Sequence, residues 1–175
     1  MARKKAVAFT PKELSADSRR LFEVLSTEPD LPAVLIATSY LEQCLLTLLG
    51  RNLIQGSTTD RLLDHRGPLG SFEARASLSY CLGLLPKGLF QNLTTVGQIR
   101  NLLAHSHLEK TLASEDVVPL ALSLSLPKTM EEDPPSWLGR ESPGSRFRAV
   151  VAIMSQVLVI AGMSERVSQV KPVGW

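Results

Sequence analysis

The sequence predicts an all-α protein, a compact single-domain helical bundle of about six helices spanning residues 1–175. Three observations lead there. Hydrophobic residues make up 44% of the chain but aromatics only 5%, so the core must be built from Leu, Val, Ile and Ala, with leucine dominant. Apolar residues recur at spacings of three and four between Pro- and Gly-marked breaks. The one stretch that alternates like a strand has no partner strand elsewhere, and an unpaired strand would leave its backbone groups unsatisfied.

The elements follow in order. Thr10-Pro11 before "KELSADSRRLFEVLS" starts a first helix, with proline in its first turn. "EPDLPAVLIATSYLEQCLLTLLGRNL" is a long second helix, for which Asp30 is the expected N-cap. A short helix fits residues 58–63. "HRGPLGS" reads as a turn, after which Ser71 caps the helix "FEARASLSYCLGLL". Pro86-Lys87-Gly88 breaks the chain before a helix that runs to about His105. Residues 114–126 fit either a helix capped by Ser114 or, at "LALSLSL", a strand; the missing partner favours helix. Residues 127–144 form a Pro-rich acidic loop, and residues 145–164 a C-terminal helix apolar nearly all round. Such a helix must be buried on most sides, within one subunit or between two.

Charge narrows the function classes. A formal net charge of +2 lacks the basic excess of a nucleic-acid-binding surface. The only basic block, Arg3-Lys4-Lys5, lies in a basic N-terminus (residues 1–9) expected to be mobile. Cys44 and Cys81 both fall in helical patterns and read as small apolar residues of a reducing compartment. No apolar leader follows the basic start, and the run from Ala149 to Met163 is short and interrupted for a membrane span. The expectation is a cytoplasmic protein with no membrane partner.

Candidate chemistry concentrates in "GQIRNLLAHSH", residues 97–107. At about 100° per residue, Leu93, Val96, Leu103 and Ala104 share one arc, with Arg100 in its middle. Thr94, Gln98, Asn101 and His105 form a separate polar strip, and Arg100 points well away from His105. In the second helix Glu42 interrupts a broad apolar arc in the same manner. An unpaired charge in a core is prohibitively costly, so Glu42 and Arg100 are expected to form a structural ion pair.

Two motifs together resemble a known family. "GPLGSFEARASLSYCLGLL" (67–85), followed a dozen residues later by "IRNLLAH", is similar to the mannitol operon repressor (MltR-like) family. The resemblance covers roughly residues 20–110, and it implies an all-helical, dimeric regulator of transcription without a helix-turn-helix. The sequence agrees on that last point, since no short helix–turn–helix with a basic second helix is present, so a protein partner is expected rather than direct reading of DNA bases. Separately, Arg100-Asn101-x-x-x-His105 resembles the R-N-x-x-x-H signature of HEPN domains, helical dimers that include metal-independent ribonucleases. That likeness implies an alternative: RNA cleavage by the substrate's own 2′-OH, with His105 as base or acid, Arg100 on the phosphorane charge and Asn101 as orienting group.

The remaining constellations are weaker. His65, His105 and His107 fit no zinc-ligand spacing, so no metal is expected. The glycines of "RGPLGS" lack the Lys-Ser/Thr pair of a P-loop, and no other cofactor motif occurs. Arg66, Ser71 and Arg75 around a helix start could still hold a small anion. A Ser-His-Asp hydrolase would need a strand-to-helix elbow that an all-α chain lacks.

Overall fold

The computed structural model describes residues 11–106, 110–128, 130 and 142–163. Seven helices and no strand occur among them: α1 (Pro11–Thr27), α2 (Asp30–Asn52), α3 (Ser57–Leu63), α4 (Phe72–Cys81), α5 (Lys87–Ala104), α6 (Val118–Ser123) and α7 (Pro143–Met163). The basic N-terminus, His107, Ser164 and residues 131–141 of the Pro-rich loop lie outside the described residues.

The 23-residue α2 is the central element, because its leucines fall on almost every side. It packs on α1, α4, α5 and α7, most extensively on α7. Ala33, Val34, Ala37, Leu41, Leu45 and Leu49 are wholly buried there. Both α2 and α7 are long and apolar enough to cross a membrane by composition, and here each serves as the other's main packing surface.

Local chemistry moved several boundaries. The helix expected over 72–85 stops at Cys81 because Gly83 takes φ +70°. Gly83 N–H then bonds Tyr80 C=O at 2.9 Å and Leu84 N–H bonds Ser79 C=O at 3.0 Å, the paired bonds of a Schellman termination. Asp30, expected as an N-cap, is instead the first helical residue, with Pro29 preceding it and no side-chain cap. Its carboxylate is used across the bundle.

Residues 114–126 are both of the things their pattern suggested. Pro119 starts the six-residue α6, and the chain then runs extended through Leu124, Ser125 and Leu126. The missing strand partner is supplied by side chains. Asn92 of α5 donates to Ser125 C=O at 2.7 Å and accepts from Ser125 N–H at 3.0 Å, as a neighbouring strand would. Arg146 of α7 covers Leu124 C=O at 2.7 Å.

Candidate functional site

The strongest polar interaction of the interior joins α2 to α4. Arg75 is 4% exposed and spends its guanidinium on three acceptors. Nη1 donates to Glu42 Oε1 at 2.7 Å, Nε to Leu69 C=O at 2.8 Å and Nη2 to Leu63 C=O at 3.0 Å. The last two fix the 64–70 turn against the bundle. That turn is tight enough that a β-carbon on Gly67 or Gly70 would lie 2.3 Å from a backbone carbonyl oxygen. Arg75 therefore welds α2, the end of α3, the turn and the start of α4 into one unit.

This corrects the expected Glu42–Arg100 pair. Glu42 is partnered by Arg75, while Arg100 is exposed and donates to Asn101 Oδ1 at 3.0 Å. The helical wheel placed Arg100 correctly relative to its own helix; what it could not show is where the neighbouring helix ends. α4 and α5 run antiparallel, with Tyr80 stacked on Phe90 at 4.7 Å and Phe72 lying across Gly97. α4 begins at Phe72, so one turn beyond Gly97 nothing covers α5 and Arg100 emerges past the edge of the hairpin. A signal for Arg75 was present: it shares a face with Phe72, Ala76 and Ser79 at helical spacing, and Ala76 and Ser79 are buried.

The expected anion site is likewise not assembled. Arg75 is committed to the fold. The hydroxyl of Ser71 accepts Ala74 N–H at 3.1 Å as the α4 cap, while exposed Arg66 sits on the far side of the turn, its backbone N–H on Asp64. Among the described residues no group of three or more His, Cys, Asp or Glu gathers as metal ligands.

What the fold does build is a cleft of about 680 Å³ between α2, the start of α4 and α5. Glu42 and Ser39 line one wall, Ser71 and Glu73 a second, and Gln98, Arg100 and Asn101 the third, over a floor that includes Phe72. The size suits a small ligand or a protruding partner side chain. His105 is not part of it. That residue caps α5, exposed, its backbone N–H on Asn101 C=O at 3.2 Å. Arg100 and Asn101 are thus brought together at the cleft mouth, and His105 stands one turn further along.

The class defined by this architecture is an all-helical bundle wrapped on two central apolar helices, with a polar cleft on the α4–α5 hairpin. No protein-family model matches the chain, and no curated protein matches it in sequence. Among solved structures it is similar to MtlR, the mannitol operon regulator, in the MtlR–HPr complex from Escherichia coli (TM-score 0.54, 20% identity, covering 85% of this chain and 97% of that one). It is also similar to a possible transcriptional regulator, YggD, from Shigella flexneri 2a (TM-score 0.58, 16% identity, covering 83% and 96%). The fold implied by the motifs at 67–85 and 99–105, that of the mannitol operon repressor proteins, is the fold found.

Proposed function

We propose that this protein is a regulatory binding protein, acting on transcription through contacts with another protein or a ligand and not through chemistry of its own. One observation carries the reading: the exposed Arg100–Asn101 pair lies at the mouth of the cleft, bonded only to itself, with His105 set apart. A guanidinium presented in this way offers a partner charge-assisted bonds without disturbing the core. The regulatory role is supported by likeness of fold to MtlR and YggD, and so by analogy. The MtlR neighbour is complexed with HPr, which makes a small protein of that kind the first partner to test. We take the working form to be a homodimer, as the family resemblance implies. Calorimetric titration with HPr should give saturable binding, at least tenfold weaker in Arg100→Ala. No heat with HPr at any concentration would remove that partner.

The alternative is a metal-independent ribonuclease using Arg100, Asn101 and His105. It is favoured by the exposure of all three near the end of α5, where a second copy could complete a site. The divergence of Arg100 and His105 on one helix counts against it within a single chain. Cleavage of labelled total RNA in excess chelator, lost in His105→Ala with the helical signal intact, would put the nuclease first.

A further inference from the structure

The cleft does not end at α4. A second depression of about 580 Å³ runs on along the outer side of α5 towards Ser125, and Glu73, Thr94 and Gln98 belong to both. Together they make one groove following α5 from Gln91 to Asn101, about 15 Å at the helical rise.

The chemistry of its walls is selective. Several polar residues along it already spend their side chains on the fold: Thr94 on Phe90 C=O, Asn92 on Ser125, Ser71 on Ala74. Ser39, Glu73, Ser77, Gln91, Thr95 and Gln98 carry no side-chain hydrogen bond among the described residues. These uncommitted groups are two amides, three hydroxyls and one carboxylate, a set rich in neutral groups that both donate and accept. Charge is balanced: Glu42 is neutralised by Arg75 beneath it, and Glu73 is offset by Arg100. A phosphate-bearing chain would meet two carboxylates and one available guanidinium. Half-buried aromatic rings, Phe72 in the first depression and Phe90 in the second, offer apolar faces between the polar groups.

We propose that this groove binds a neutral, hydroxyl-rich small molecule of saccharide type, its hydroxyls on Gln91, Gln98 and Glu73 and its C–H faces on the rings. The proposal rests on reading the cleft as a ligand surface, and it specifies the class of ligand. The test is saturation-transfer NMR with glucose, glucitol and maltose, each against glucose 6-phosphate, on the wild-type chain and on Gln98→Leu and Glu73→Ala. Circular dichroism would confirm that both variants fold. Transfer from at least one neutral compound is expected, with affinity falling about tenfold or more in both variants. Transfer from none of them, transfer from the phosphorylated sugar alone, or binding unchanged in the variants would each overturn the proposal. The titration with HPr is independent, so a failure here would leave the protein-partner reading standing.

Discussion

Arg148 of α7 donates to Asp30 Oδ1 at 2.8 Å, while the other oxygen of the same carboxylate accepts the N–H of Leu112 at 2.9 Å. Arg148 also reaches the carbonyls of Leu25 and Glu28. A single ion pair thereby ties the end of α1, the start of α2, the segment before α6 and the start of α7 at one end of the bundle. Both side chains are about three-quarters buried, so the pair is less screened than a surface bridge.

Asp30→Ala should therefore cost about 2–3 kcal/mol, since it strands a charged donor and a backbone N–H together. Asp30→Asn keeps an acceptor for Leu112 and should cost about half as much. Urea unfolding would measure both, and equal losses in the two variants would show that the Leu112 bond contributes nothing.

At the opposite weld, Glu42→Ala leaves the buried Arg75 guanidinium without its counter-charge and should cost on the order of 3 kcal/mol. Arg75→Ala also releases Leu63 and Leu69 and should cost more, about 3–5 kcal/mol. A double-mutant cycle should return a clear coupling energy between the two. The same cycle on Glu42 and Arg100 should return a value within about 0.5 kcal/mol of zero, since those residues share no bond.

Arg100→Ala should leave stability within about 0.5 kcal/mol of wild type, because an exposed side chain bonded only to its neighbour strands nothing when removed. Its effect belongs in binding. A large fall in melting temperature would mean that Arg100 supports the core after all.

Burial pushes the Cys44 thiol up to about 12, with Tyr40 donating beside it, whereas Cys81 is exposed. The folded pKa lies above the unfolded one, so the folded state holds the proton more tightly. The stability gained is complete below about pH 8.5 and is lost as pH rises from there towards 12. Thiol labelling at pH 8 should modify Cys81 rapidly and Cys44 only on unfolding. Equal labelling rates would contradict the buried position.

Much of the architecture was legible because it depends on local chemistry. Leucine periodicity marked α2, α5 and α7, Pro11 and Ser71 marked two helix starts, and the apolar girth of α7 announced a central helix. The end of α4 was missed, since the glycine at 83 was read as tolerated within a helix that it in fact terminates. The strand-like run at 124–126 was recognised but could not be resolved, because its partner is one amide side chain from 33 residues away.

The sequence by itself determined that two buried charges must find partners and that α5 carries a polar strip, since burial and helical period follow from residue order alone. Only the tertiary structure decided which arginine meets Glu42. A helical wheel reports direction about one axis, but burial depends on whether another helix is present at that height. α4 starts at Phe72, covers α5 as far as Gly97 and no further, and so Arg75 lies inside while Arg100 stands at the edge of the cleft.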